Sequence, residues 1–202
     1  MKDEKDKIEN IEVPKRHAAL ENPKNKFERL ISKLDSKLAR VETWDAKLGK
    51  SVPRDKQDLS NPHNWLVITK EKDINEIVKK WNLPSLYVDF LTRFSPLDVA
   101  IYAELFVNYL RLYGAFDLIQ NQLGYSIDLN TGEIIDDWPK DYVVIADDTA
   151  DPYVLDLSKS NGEDAPVLYA LHGTGNWEFE PEAESFYEFI ENIIDSLWKE
   201  EE

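Results

Sequence analysis

The chain has 202 residues, of which 42% are apolar and 11% aromatic, and its formal net charge is −16. This length is enough for one domain with a buried core plus extensions. The sequence contains no cysteine, which excludes disulfides, thiolate metal ligands and a cysteine nucleophile. No run approaches the roughly 20 apolar residues of a membrane span, and Met1 leads into no apolar signal core. We therefore expect a cytoplasmic protein that makes no membrane contact.

The acidic residues are concentrated in the second half of the chain. From residue 116 to residue 202, 22 Asp and Glu face three Lys, a net charge of −19, whereas residues 1–115 carry about +3. Phosphate binding draws on clustered Lys and Arg, so direct nucleic-acid binding is disfavoured for the acidic half. A cationic partner is favoured on the same grounds. Solubility alone is the alternative explanation for such a charge.

The N-terminal part of the chain predicts a polar extension with one helix. Residues 1 to about 22 are charged and lack periodicity, which predicts a mobile leader. Asn22-Pro23 is typical of a helix start, and the apolar spacing that follows predicts an amphipathic helix over about 22–44. A polar stretch with two prolines, residues 49–63, then indicates a linker. We divide the chain into residues 1–60, which dock or form a separate interaction segment, and a domain at 61–202.

The first part of that domain predicts helices followed by strands. Helical spacing runs over residues 70–81 and again from Pro84 until Ser95-Pro96 ends the second helix. Strands are favoured at 99–105 and 109–113, because aromatic and β-branched residues are frequent and Gly114 interrupts the run. A two-turn helix is predicted at residues 115–123.

Three runs rich in β-branched and aromatic residues then predict an antiparallel meander. They cover residues 142–146, 153–157 and 167–171, and turn-forming segments separate them. A last helix is predicted from Pro181. This order of elements predicts an α+β fold with a central, mainly antiparallel sheet flanked by helices and an N-terminal helical extension.

Carboxylates are the most conspicuous candidates for chemistry. Five of them lie in loops that border the meander: Asp136, Asp137, Asp147, Asp148 and Asp151. Such groups could supply an acid and base pair or a divalent-metal site. The spacing of Asp147, Asp148 and Asp151 lacks the pattern of a calcium loop. No second acidic cluster with a catalytic histidine accompanies these carboxylates. The pattern favours a solvated acidic rim, so we predict no enzyme activity, no metal site and no cofactor.

Two further residues near the meander have alternative interpretations. Trp138 lies between two aspartates and a proline, and it either plugs the edge of the core or contacts a partner. His172 follows the third strand of the meander. Its position is typical of a residue that fixes a turn by hydrogen bonding, and a mechanistic role is the alternative.

A series of short blocks has a familiar order. The blocks are Leu83-Pro84 with Tyr87 and Phe90-Leu91, Asp136 to Pro139, Val143 to Asp148, Asp151 to Leu157, Pro166-Val167 with His172-Gly173 and Trp177, and Ser185-Phe186 with Phe189-Ile190. In this order they resemble the SUKH superfamily over about residues 65–198. One departure is Thr149-Ala150, where relatives often carry glycines, and this affects the expected shape of the loop.

The resemblance implies an α+β domain without enzymatic activity. In bacteria it implies an immunity protein that binds and neutralises a cognate polymorphic toxin, such as a nuclease. A toxin domain that binds phosphates is basic, so an acidic surface would also raise the rate of its association with this protein. The contact surface that we predict is Asp136, Asp137, Trp138, Asp147, Asp148, Asp151 and Glu178.

Two other functions remain open from the sequence. A scaffold or regulator of cell-wall or envelope assembly is implied by the yeast member of the superfamily. A hydrolase with an acidic site would need Asp147 or Asp151 for turnover.

Overall fold

A computed structural model describes residues 15–45, 48–57, 62–102, 106, 108–133, 135, 138–172 and 177–197. Within these residues the α-helices are α1 (Lys26–Leu38), α2 (Glu71–Lys80), α3 (Ser85–Arg93) and α4 (Phe186–Ser196). The strands are β1 (Thr43–Asp45), β2 (Lys50–Val52), β3 (Trp65–Val67), β4 (Ser95–Leu97), β5 (Val99–Ile101), β6 (Leu110–Leu112), β7 (Tyr142–Asp148), β8 (Asp151–Asp156), β9 (Val167–Tyr169) and β10 (Glu180–Ala183). Short 3₁₀ turns lie at Ala18–Leu20, Arg54–Lys56, Gln120–Gln122 and Leu157–Lys159.

The centre of the fold is a six-stranded antiparallel sheet in the order β10-β9-β8-β7-β6-β5. Each of its strands therefore pairs with the strand next to it in the sequence, as in a meander. Two small antiparallel ribbons, β1–β2 and β3–β4, lie outside this sheet. With helices packed around a mainly antiparallel sheet and a helix near the N-terminus, the predicted α+β fold class is confirmed.

The central strand β7 is buried on both faces of the sheet. Its four consecutive residues Val143–Ala146 are all buried, although neighbouring side chains on a strand point in opposite directions. The register between β7 and β8 shifts between Val144 and Ala146. At this bulge the buried Gln122 donates from Nε2 to Val144 O (2.9 Å) and accepts from Val144 N (3.1 Å). One side-chain amide thus satisfies backbone groups next to the irregularity in the ladder.

The N-terminal helix packs against the rest of the molecule. Helix α1 begins after Asn25, whose Oδ1 accepts a hydrogen bond from Glu28 N at 2.8 Å. It ends at Leu38, shorter than the predicted helix over about 22–44, because residues 43–45 form β1. Its apolar face packs against α4 and joins the same core as the sheet. Of the two alternatives for the N-terminal part, docking or a separate segment, α1 therefore shows docking. The division of the chain at about residue 60 stays a prediction.

The segments on either side of α1 are also attached. Ala19 and Leu20 are buried, which corrects the prediction of a mobile leader for residues 15–22; residues 1–14 lie outside the described part. Within the stretch expected to be a linker, Arg54 donates to Asp35 of α1 at 2.6 and 3.1 Å. Arg16 forms an ion pair with the same carboxylate. Charged contacts therefore hold segments whose sequences are too polar to predict docking.

Two predicted helix positions differ from the structure for local reasons. Helix α4 begins at Phe186 rather than at Pro181, because Ser185 caps it by accepting from Glu188 N at 3.0 Å. The residues before the cap form β10 and pair with β9. Residues 115–123 form turns and one 3₁₀ turn instead of a two-turn helix.

The two strands predicted on either side of residue 106 are shorter than expected. Strand β5 stops at Ile101, and residues 103–105 lie outside the described part.

After β6, Gly114 passes close to β4, where an added Cβ would lie 1.9 Å from Pro96 O. Glycine at this position is therefore required by space rather than by a turn.

Candidate functional site

The acidic run between β7 and β8 forms a tight hairpin. Thr149 and Ala150 alone connect the strands, both with positive φ (52° and 82°), and Asp148 pairs with Asp151. Two consecutive positive φ angles are typical of a two-residue hairpin turn. The expectation that Asp147, Asp148 and Asp151 lie in a loop is therefore corrected: all three belong to the strands.

Each of these three carboxylates accepts hydrogen bonds from its surroundings. Asp147 accepts from the hydroxyl of Tyr113, and Asp148 accepts from the backbone N–H of Asn108 at 3.2 Å. Asp148 is only 3% exposed, which corrects the expectation that the whole acidic run lies on a solvated rim. The physical reason is that a carboxylate can be buried where donors replace its water.

Asp151 fixes the neighbouring turn. It accepts from His172 N at 2.7 Å and from the hydroxyl of Tyr169 at 3.2 Å, and His172 Nδ1 lies 3.2 Å from the same carboxylate. Of the two interpretations of His172, the structure shows the turn-fixing one. Burial and the nearby Asp151 raise the pKa of Tyr169 to about 12, so this hydroxyl keeps its proton at neutral pH and remains a donor.

Trp138 lies in the core rather than on the surface. It is 4% exposed, and its Nε1 donates to Tyr142 O at 3.2 Å. Its ring makes edge contacts with Trp177 and Phe179, each at 5.5 Å between centroids. Tyr125 completes an aromatic cluster of Tyr125, Trp138, Tyr142, Trp177 and Phe179. The partner-contact alternative for Trp138 is therefore corrected: the ring is enclosed by other rings and cannot serve as an exposed anchor.

Beside the hairpin turn is a hollow of about 270 Å³ that the sequence did not predict. It is lined by Leu123, Gly124, Tyr125, Ala150, His172 and Trp177. Burial, with Asp147 as the next cause, raises the pKa of Tyr125 to about 12. The hollow therefore has neutral aromatic walls next to the carboxylates of Asp147 and Asp151. Ala150, His172 and Trp177 were singled out in the sequence, but Leu123 and Tyr125 were not, because they come from a turn distant in the sequence.

Glu178 directly follows Trp177 in the sequence, and its side chain is exposed. It lines a smaller hollow of about 120 Å³ with Tyr169, Ala170, Leu171 and Glu180. Leu171 is also exposed, so acidic and apolar groups share this part of the surface. Asp136 and Asp137, the other two predicted contact residues, lie outside the described residues.

The structure thus brings Asp147, Asp148 and Asp151 together at the hairpin end of the meander, with Trp177 in the hollow beside the turn, whereas Trp138 is hydrogen-bonded to Tyr142 at the other end of β7. Among the described residues, no group of three His, Asp or Glu side chains is placed to hold a metal ion. None of the helices described here has the length and apolar character to cross a membrane.

Comparison with known proteins gives a family assignment. No curated protein matches the chain. The family model for the SMI1 / KNR4 family (SUKH-1) matches residues 52–192, well over half of the chain. This range includes β3 through most of α4, and so the whole six-stranded sheet. The resemblance seen in the sequence is confirmed, and the chain belongs to the SMI1 / KNR4 family (SUKH-1).

Proposed function

We propose that this protein is a non-catalytic immunity protein that binds a basic toxin domain, such as a nuclease, and blocks its action. The match to SUKH-1 over residues 52–192 carries this proposal, because proteins of this family are generally non-catalytic and of the immunity type. The net charge of −19 in residues 116–202 supports a cationic partner.

The contact surface that we propose is the acidic end of the meander. Asp147 and Asp151 lie at its rim, Glu178 is exposed, and Asp136 and Asp137 remain part of the proposal. Trp177 replaces Trp138 as the anchor, since it is half-buried and lines the hollow by the hairpin turn. Aromatic side chains in partly desolvated hollows are the usual source of slow dissociation.

The acids would act mainly on the rate of association. Surface charges of opposite sign raise association rates by roughly tenfold to a thousandfold at low salt. The carboxylates of Asp147 and Asp151 are held by Tyr113 and His172, so a partner would meet them in fixed positions. Fixed groups lose less conformational entropy on binding than mobile ones.

The first test is protection in the cell. The C-terminal domain of a large protein encoded beside this gene would be expressed alone and together with the full chain. We expect toxicity alone and protection on co-expression. A domain that is harmless alone, or equally toxic in both cases, would reject immunity and favour the role in envelope assembly.

The second test locates the surface. The double variant Glu178→Lys, Glu180→Lys reverses two exposed acids at the proposed surface, and Glu71→Lys, Glu76→Lys makes the same charge change on α2. We expect the first variant to slow association at least about tenfold more than the second at low salt, with the difference fading at high salt. Equal effects of the two variants would show that only net charge matters and that the interface lies elsewhere.

A further inference from the structure

A third recess lies at the β5 edge of the sheet. It is a groove of about 450 Å³, and aromatic rings from separate segments line it: Trp44 of β1, Tyr102 and Tyr109. Trp44 is 63% exposed and Tyr102 is 55% exposed, and the Tyr102 and Tyr109 rings lie 5.5 Å apart. Large exposed rings grouped in a recess of this size are typical of a binding site.

Asn64, which lines the groove, has a buried donor without an acceptor among the described residues. Asn64 is fully buried and lines the groove, and its Oδ1 accepts from Ala100 N at 3.0 Å. That bond fixes the orientation of the amide, so the other end must be Nδ2. Within the described part of the chain, Nδ2 has no hydrogen-bond partner. An unmade hydrogen bond of this kind costs about 1–3 kcal/mol, which an acceptor on a bound molecule would recover.

The same asparagine closes the edge strand to further pairing. Besides the bond from Ala100 N, Asn64 donates its own backbone N–H to Asp98 O at 2.9 Å. Asn64 therefore occupies the place where an added strand would pair with β5. A bound segment must lie across the rings without extending the sheet.

The charged groups of the groove are paired with one another or with neighbours. His63 contacts Asp98, and Arg111 donates to Asp117 at 3.1 Å. The groove also lies in the half of the chain that carries only about +3. It is thus suited to a ligand that is neutral, has an apolar surface and presents oxygen acceptors.

We propose that this groove binds a proline-rich segment of a partner protein in the polyproline II conformation. Such a segment has no internal hydrogen bonds, so its carbonyls are free to accept from Asn64 Nδ2. Its proline rings pack against exposed Trp and Tyr, and its preformed shape lowers the entropy lost on binding. Binding here is independent of whether the acidic end of the meander binds a toxin.

The test uses synthetic peptides and the full chain. Decaproline, a ten-residue Gly-Ser peptide and a ten-residue alternating Thr-Val peptide would each be titrated by isothermal calorimetry. We expect saturable binding of decaproline only. Binding of the Thr-Val peptide in its place would show strand addition and overturn the proposal, as would decaproline binding no tighter than the Gly-Ser peptide.

Variants place the binding in the groove. Trp44→Ala and Tyr102→Ala remove exposed rings, and each is expected to weaken decaproline binding at least about tenfold. Phe116→Ala, which removes an exposed ring outside the groove, should leave it unchanged. Circular dichroism and thermal unfolding check that the variants are folded. Folded Trp44→Ala and Tyr102→Ala proteins that both bind like the parent would reject the groove as the site.

Discussion

The N-terminal segment, residues 15–57, and the meander, residues 142–183, join the same core through different interactions. The N-terminal segment packs through the apolar face of α1 and adds ion pairs, Arg54 with Asp35 inside the segment and Glu28 with Arg93 of α3 at 2.7 Å. The meander is held by strands that are buried on both faces and by the aromatic cluster, and the Asp151 carboxylate fixes a turn. An ion pair is lost when either of its two residues is replaced. A cluster of rings distributes its stabilisation over several contacts.

The largest effect is expected in the aromatic cluster. Trp138→Ala should lower the free energy of unfolding by about 3–5 kcal/mol, because it empties a site enclosed by Trp177 and Phe179. Urea unfolding of the two proteins measures the difference. Leu129→Ala, at a largely exposed residue, is the control and should change stability by less than about 0.5 kcal/mol. A similarly small change for Trp138→Ala would contradict its place in the core.

The N-terminal ion pairs are expected to give a somewhat smaller effect. Asp35→Asn keeps the shape of the side chain but leaves the buried Arg54 and the nearby Arg16 without a countercharge. We expect a loss of about 3 kcal/mol, at the low end for breaking a buried pair. Urea unfolding measures it, with the exposed Asp195→Asn as the control. If the two variants were equally stable, the N-terminal segment would not depend on this carboxylate.

The same contrast explains which features could be predicted from the sequence. Strands β7, β8 and β9 were placed within a few residues, because runs of β-branched and aromatic residues and the turn residues between them are local signals. Docking of α1 was one of two alternatives, and the ion pairs of Arg54 and Arg93 were not predicted, because the partners of an ion pair cannot be read from spacing. The start of α4 was misplaced since Pro181 is also compatible with a strand edge, and the cap at Ser185 was overlooked.

The structure brings together only part of the contact surface that the sequence suggests. Asp147 and Asp151 do come together at one end of the meander. Burial of Asp148 was not predicted, because it depends on a donor from Asn108, and burial of Trp138 was only one of two alternatives, because it depends on rings such as that of Phe179. The hollow by the hairpin turn combines segments distant in sequence, and no local pattern marks such a recess.

A pH titration would sharpen the comparison. The hydrogen bond from Arg93, followed by the backbone N–H of Lys24, holds the pKa of Glu28 below its ordinary value of 4.5. A lowered pKa in the folded state stabilises the fold above pH 4.5, and this contribution is lost as the pH falls through the folded-state pKa. Glu28→Gln should therefore be less stable than the parent at neutral pH, by less than Asp35→Asn.

The difference between the parent and Glu28→Gln should shrink as the pH drops below 4.5. Urea unfolding at a series of pH values measures it, and Glu21→Gln, at an exposed residue of the same segment, is the control. A difference that stays constant with pH would mean that Glu28 stabilises α1 by packing rather than by its charge.

The smallest expected effect has the opposite sign and lies in the core shared by both regions. Tyr87 is fully buried against Phe90 and Phe186, at 6.3 and 4.9 Å between centroids, and burial raises the pKa of its hydroxyl. Among the described residues that hydroxyl has no hydrogen-bond partner. Tyr87→Phe removes a buried polar group without removing a hydrogen bond, so the free energy of unfolding should stay constant or rise by up to about 1 kcal/mol.

Tyr113→Phe is the matched control: its hydroxyl donates to Asp147, and its loss should destabilise the fold by about 1 kcal/mol or more. Equal losses in the two variants would show that the Tyr87 hydroxyl is bonded in solution, and the shared core would then contain a polar contact like those that hold the hairpin.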